Sequence, residues 1–148
     1  MINFYQIYNG KEKLDYYEKY NDGLDIFSYL GRKHYGVFDP GDVSVLKNVL
    51  HIIKREPNLA FWYADVIING RWEEAEPTIM KCPIYAYEYA LDIIKGRWSE
   101  AEKYIMKDIH WAFYYAKHII KGRWMEAEPY IMESDDDWRR YCHEFKLC

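Results

Sequence analysis

Apolar residues recur along the latter part of the chain at the three- and four-residue spacing of an α-helix. Ala60, Tyr63, Ala64 and Ile67 are the first such set, and the same four residue types return at 86–93 and at 112–119. Offsets of three and four place side chains on one face of a helix. The pattern therefore predicts three amphipathic helices, each with one buried face.

These helices belong to a tandem repeat. Gly-Arg-Trp occurs at 70–72, 96–98 and 122–124, a spacing of 26 residues, and each copy continues into Glu-Ala-Glu and Ile-Met. A repeated unit of this length is typical of solenoid proteins. We expect an all-α fold, a short α-solenoid of 26-residue two-helix repeats. Within a single domain, 1–148, the repeats are placed at 57–82, 83–108 and 109–134.

The first helix of each copy is expected to end at its glycine. Gly70, Gly96 and Gly122 follow the apolar pattern directly. Glycine tolerates the left-handed backbone common at helix C-termini. Lys95 and Lys121 precede two of these glycines, where the helix dipole favours a positive charge.

A second, shorter helix is expected to open at the tryptophan of each copy. In the first copy it would bury Trp72, Ala75 and Ile79 and carry acidic residues in its first turn, where the helix dipole favours them. Pro77 and Pro129 are unfavourable inside a helix. We therefore expect this helix to be short, kinked, or to begin later than the tryptophan.

The flanks of the repeats follow the pattern imperfectly. Residues 42–56 are interpreted as a degenerate half repeat and 135–148 as a C-terminal capping helix. Ser134 and the three aspartates after it are expected to form the N-cap and first turn of that helix, with an acidic metal or partner site as the alternative. The divergent segment 1–41 is expected to be mostly helical, at 11–20 and 24–34, with a strand or extended cap at 4–8.

Composition narrows the class of protein. Half of the residues are apolar, which favours a packed chain, and the net charge of −4 argues against non-specific nucleic-acid binding. Three irregularly spaced cysteines and the lack of a basic-then-apolar N-terminus favour a reducing compartment without a membrane span. We expect a cytoplasmic protein.

The string Gly-Arg-Trp-x-Glu-Ala-Glu, with Ile-Ile-Lys just before it, resembles the tandem repeats of uncharacterised proteins of bacteriophage and large-virus genomes. The resemblance covers residues 57–148. It implies an all-helical array and a viral origin, with the host-cell cytoplasm as its compartment. It implies no activity and no binding residues.

Three charged positions are identical in all copies: Arg71, Glu74, Glu76 and their equivalents. Ion pairs between adjacent copies, together with carboxylates placed favourably at helix N-termini, would explain them. A row of guanidinium groups that captures an acidic ligand is the alternative. The neighbouring carboxylates count against that alternative.

Other positions differ between copies, and side chains that are free to differ are expected to leave the core. Among these positions we predict a binding surface whose specificity they would set, and its residues are Trp62, Glu88, Tyr114, Asp65, Lys117, Asp92 and His118. A neighbouring aromatic column could stack on a ligand, but burial between repeats is favoured for it; its members are Leu59, Tyr85, Trp111, Phe61, Tyr87 and Phe113.

Metal and catalytic chemistry find little support in the sequence. Asp92, His118 and Glu144 share one column but lie on three different copies, too far apart to close on one ion. Cys142, His143 and Cys148 are a weak metal signal. No nucleophile motif or phosphate-cradling glycine loop occurs. We therefore expect neither a cofactor nor catalysis.

The sequence favours a non-catalytic protein–protein interaction module, with a host factor as partner if the viral resemblance holds. The alternative is a binder of a small ligand or nucleotide that uses stacked Tyr and Trp rings and an Arg in a groove. Exposed aromatic residues make a homodimer a third option. No nucleic-acid or membrane partner is expected.

Overall fold

The computed structural model describes residues 50–147. The predictions for 1–41, and most of the half repeat at 42–56, lie outside the described residues. The chain divides into two compact units, Met1–Thr78 and Ile79–Cys148. The described part is helical and contains no strand, which confirms the all-α class there. None of its helices is long and apolar enough to cross a bilayer.

In the first unit, two helices precede the first Gly-Arg-Trp. Helix α1 spans Leu50–Ile53 and α2 spans Pro57–Trp62, and α2 runs on into a π-helical segment, Tyr63–Ile68. Proline at the first position costs α2 nothing, because that amide has no partner within the helix. Ala60 is buried, as the apolar pattern predicted, and Leu59 and Phe61 are buried, as was favoured for their aromatic column. Helix α3, Glu76–Ile79, ends at the first residue of the second unit.

The second unit holds the remaining described helices. These are α4, Pro83–Glu88, with a π-helical segment Tyr89–Ile94; α5, Ser99–Ile105; α6, Ile109–Tyr115, with a π-helical segment Ala116–Ile120; α7, Glu128–Ile131; and α8, Asp135–Phe145. The core of this unit is made mainly of alanine, isoleucine and aromatic side chains. Tyr89, Tyr115 and Tyr141 are fully buried there, and Trp98 and Trp124 nearly so.

The prolines explain why the second helices differ in length. Helices α3 and α7 have four residues each, and Pro77 and Pro129 lie in their first turn. The middle copy has Lys103 instead, and α5 begins earlier, at Ser99. Proline has no backbone N–H, and only in the first turn does a helix not need that donor for an internal hydrogen bond. The expectation of a short or late-starting second helix is confirmed.

The glycines do not hold the left-handed position. Asn69, Lys95 and Lys121 do, with φ of 55°, 59° and 58°. A Cβ built on Gly96 would meet nothing within 4 Å. The prediction that glycine adopts the left-handed backbone is therefore wrong by one residue: the left-handed turn comes first, and the glycine amide then donates to a carbonyl six residues back, from Gly96 to Ala90 at 3.1 Å.

The last helix follows its prediction. Ser134 caps α8, since its hydroxyl accepts a hydrogen bond from the Asp137 amide at 3.3 Å. The three aspartates lie in the first turn, where the helix dipole stabilises negative charge. Tyr141 and Cys142 are buried on the inner face, while Arg139 on the outer face is exposed.

Replacing Lys95 by glycine should stabilise the protein. Relief of about 1–2 kcal/mol of left-handed strain exceeds the roughly 0.5–1 kcal/mol of entropy that glycine adds to the unfolded chain. We expect Lys95→Gly to raise the free energy of unfolding by about 0.5–1 kcal/mol, measured by urea denaturation. Lys95→Ala is the matched control, because it removes the charge but keeps the Cβ. An equal gain for Lys95→Ala would contradict the backbone explanation.

Candidate functional site

The arginine of each copy is bound to a glutamate of the same copy. Arg97 donates to both carboxylate oxygens of Glu102, at 2.8 and 2.7 Å, and Arg123 does the same to Glu128, at 2.8 Å for both bonds. Arg71 and Glu76 make the same pair in the first unit. The expected ladder between copies is therefore wrong for these two positions, because a five-residue separation across the short turn brings the two side chains together within a copy.

A tyrosine from the following copy completes this arrangement. The Tyr115 hydroxyl donates to Glu102 at 3.0 Å and accepts from the Trp98 amide at 2.7 Å. Tyr141 repeats both bonds one copy later, to Glu128 at 3.2 Å and from the Trp124 amide at 2.6 Å. We call Arg, Glu, Tyr and the Trp amide together the junction network.

The junction network is a structural feature rather than a ligand site. Burial raises the pKa of Tyr141 to about 12 and raises that of Tyr115 further. The Arg123 guanidinium holds the pKa of Glu128 below its usual value. Tyr115 and Tyr141 thus stay protonated and Glu128 stays ionised at neutral pH, and each guanidinium is already occupied by two hydrogen bonds. Capture of an acidic ligand by this arginine row is disfavoured.

The predicted binding residues fall in both units, and none of them is buried. Trp62 and Asp65 are half-buried in the first unit, where the Trp62 ring meets Phe61 edge-on at 5.8 Å. The other five lie in the second unit: Glu88, Asp92, Tyr114, Lys117 and His118. Asp92 is exposed and the remaining four are half-buried. Whether these residues bind a partner stays a prediction.

Helices α4 and α6 meet in an aromatic cluster centred on Tyr87. Its hydroxyl lies 2.7 Å from Nδ1 of His118, and its ring contacts Trp111 at 5.3 Å between centroids. Burial raises the pKa of Tyr87, and the negative charges of Asp92 and Glu88 raise it further.

Tyr87 and Phe113 are buried, as expected for their column, whereas Tyr85 and Trp111 are half-buried.

The equivalent place one copy later lies between α6 and α8, and it is an open hollow of about 490 Å³. Its lining residues are Phe113, Tyr114, Lys117, Arg139, Arg140, His143 and Glu144. The side chains at this place differ from those one copy earlier. Phe113 stands where Tyr87 stands one copy earlier and has no hydroxyl, and Glu144 stands where His118 stands. Glu144 instead accepts a bond from Lys117 at 2.8 Å.

Sequence reasoning missed Arg139 and Arg140 because it interpreted the last helix mainly as a cap, and it considered His143 only as part of a weak metal signal. A signal for them was present. Residues 139, 140 and 143 follow Phe113, Tyr114 and Lys117 by one repeat length of 26. Extending the variable columns by one more copy would have placed all three on the same surface.

A smaller hollow of about 250 Å³ lies in the same unit, between the π-helical segments that follow α4 and α6. Leu91, Lys95, His118 and Lys121 are among its lining residues. Within residues 50–147, no group of three or more His, Cys, Asp or Glu side chains is arranged to hold a metal ion. Cys82 carries a free thiol.

Comparison with protein-family models, with curated proteins and with solved structures finds no match.

Removing the Tyr115 hydroxyl should weaken the fold. Tyr115→Phe leaves the Trp98 amide and the buried Glu102 carboxylate each without one partner, which costs about 1–3 kcal/mol. We expect a loss of that size in the free energy of unfolding. Tyr130→Phe is the control, because its hydroxyl makes no hydrogen bond among the described residues. Equal losses in the two variants would show that the junction network contributes nothing.

Alkaline pH should unfold the protein through the same hydroxyls. The pKa of Tyr141 is about 12 in the folded chain and 10.0 without the fold. Because the pKa of Tyr141 is higher in the folded chain, its protonated hydroxyl contributes stability. This contribution is fully present below pH 10 and is lost as the pH rises through 12. We therefore expect the free energy of unfolding to fall across this range, and less steeply in Tyr141→Phe. An ultraviolet difference titration that shows Tyr141 ionising at its ordinary pKa would contradict this.

Proposed function

We propose that the chain is a non-catalytic protein–protein interaction module, built as a short α-solenoid of 26-residue repeats. The helices that begin at Pro57, Pro83, Ile109 and Asp135 are spaced by the repeat length, which supports the solenoid. The junction network supports it too, because it ties each of two tyrosines to the preceding copy.

The observation that carries the proposed function is the open hollow between α6 and α8. Its lining comes from columns that vary between copies, whereas the Arg–Glu pair of the junction network is the same in each copy. A repeat protein that binds partners needs surface residues that differ between copies and packing residues that stay the same. The hollow combines aromatic ring surface with arginine, and aromatic residues and arginine are enriched at protein interfaces.

The breadth of the hollow favours a protein over a small ligand. Small-molecule sites enclose most of their ligand. This one is open to solvent along the surface of two helices, and the exposed side chains of Arg139 and Arg140 form part of it. The resemblance to viral repeat proteins makes a host factor the first partner to test.

A photo-crosslinking experiment tests the proposal. A benzophenone amino acid replaces Tyr114, which lies in the hollow, or Tyr130, which lies outside it, and the chain is irradiated inside host cells. We expect a crosslinked partner at Tyr114 only, lost when unlabelled wild-type chain competes. The Tyr130 variant controls for non-specific capture.

Three results would contradict the proposal. Capture that does not depend on position would remove the hollow as the binding surface. A crosslinked product composed of two copies of this chain would replace the proposal with a homodimer. A concentration-dependent rise in melting temperature with nucleotides, without a crosslinked protein, would favour the small-ligand alternative.

A further inference from the structure

The open hollow carries positive charge on a chain that is negative as a whole. Four of its seven lining residues are Lys, Arg or His, and only Glu144 is acidic. The net charge of the chain is −4. A local concentration of cations against this background is selective, because it attracts a short acidic segment without making the whole surface attractive to anions.

The cations of the hollow are available for exchange, unlike those of the junction network. Arg139 lies 3.7 Å from Asp136, and both side chains are more than three-quarters exposed. Arg140 lies 3.4 Å from Asp137. Exposed pairs of this kind stabilise by at most about 1 kcal/mol, so a carboxylate from a partner can replace them at little cost. The bidentate bonds of Arg97 and Arg123 allow no such exchange.

Aromatic rings lie beneath these cations. The Arg140 guanidinium is 5.2 Å from the centre of the Phe113 ring, and the Lys117 ammonium is 6.0 Å from it. The half-buried Tyr114 ring adjoins Phe113 at 5.4 Å. The hollow therefore offers an apolar base and a charged edge, which suits a segment that presents carboxylates together with an apolar or aromatic side chain.

We propose that the hollow between α6 and α8 binds an acidic peptide segment of the partner protein, with carboxylates on Arg139, Arg140 and Lys117 and an apolar side chain against Phe113 and Tyr114. This inference rests on the proposed function and specifies the chemistry of its partner. Glu144 competes with that segment for Lys117, so the site is tuned to moderate affinity.

A peptide fits this surface better than a nucleic acid does. The first turn of α8 carries Asp135, Asp136 and Asp137, one turn from the two arginines. A polyphosphate backbone places one negative charge on every nucleotide and would meet these aspartates, whereas a peptide can place its carboxylates only where the arginines are.

Fluorescence anisotropy with labelled peptides tests the inference. The probe is a peptide of alternating Glu and Phe, and its matched control has Gln in place of every Glu. We expect the acidic peptide to bind at least tenfold more tightly at low salt, and this preference to shrink as salt is added. Arg140→Gln should weaken binding about tenfold, the loss of one charge-assisted hydrogen bond.

Glu144→Gln provides the decisive variant because it should act in the opposite direction. Freeing Lys117 from its competing carboxylate should tighten binding of the acidic peptide roughly two- to fivefold. A misfolded variant cannot give that result. Lys107→Gln, an exposed lysine outside the hollow, is the control for a general change in charge and should leave binding unchanged.

Equal binding of the acidic and neutral peptides, or weaker binding in Glu144→Gln, would overturn the inference. Tighter binding of a single-stranded oligonucleotide, weakened by Arg140→Gln, would replace the peptide with a nucleic acid. If the Tyr114 crosslinker captures a partner but the acidic peptide does not bind, the interaction function stands and its proposed chemistry is wrong. If neither occurs, both proposals fail.

Discussion

A buried carboxylate needs partners, and in this chain its partners come from two different copies of the repeat. Glu102 is nine-tenths buried and would be strongly unfavourable there alone. Arg97 supplies two hydrogen bonds from within the copy, and Tyr115 supplies a third from the next helix along the chain. The same hydroxyl accepts from the Trp98 amide, which has no helical partner of its own. These hydrogen bonds therefore form only when the next copy is folded in register.

This requirement explains which positions vary and which do not. The Arg, Glu and Trp of the second copy act as one unit with Tyr115, and those of the third copy with Tyr141, so changing one of them leaves a buried polar group unpaired. Positions on the outer side of the same helices have no such constraint. Phe113 lacks the hydroxyl that contacts His118 in Tyr87, and Glu144 stands at the position equivalent to His118 where the open hollow lies. The surface can change while the frame is kept.

Much of the helical pattern could be predicted from the residues themselves. Alternating spacings of three and four located the faces that hold Ala86, Tyr89 and Ala90, and all three are buried. The prolines correctly predicted late-starting second helices. The left-handed position could not be predicted, because glycine is the usual occupant and only backbone geometry shows that Lys95 takes it instead. The Arg–Glu pairs were assigned to the wrong copies for a similar reason, since a turn rather than a helix sets their separation.

The candidate site was predicted only in part. Tyr114 and Lys117 line the hollow, but Arg139 and Arg140 were overlooked because a terminal helix was expected to do nothing except cover the core. Lys117 was predicted to lie on the binding surface, and its pairing with Glu144 was not foreseen. Such pairs depend on how neighbouring helices are aligned, which a column of residues in the sequence does not specify.

Hydrogen exchange at the Trp98 and Trp124 backbone amides tests the junction network most directly. Both amides lie ahead of a helix, and their hydrogen bonds go to the Tyr115 and Tyr141 hydroxyls. If those bonds couple the copies, the two amides exchange as slowly as the most protected helical amides, while the preceding Arg97 and Arg123 amides exchange quickly. Rapid exchange of all four amides would contradict the account.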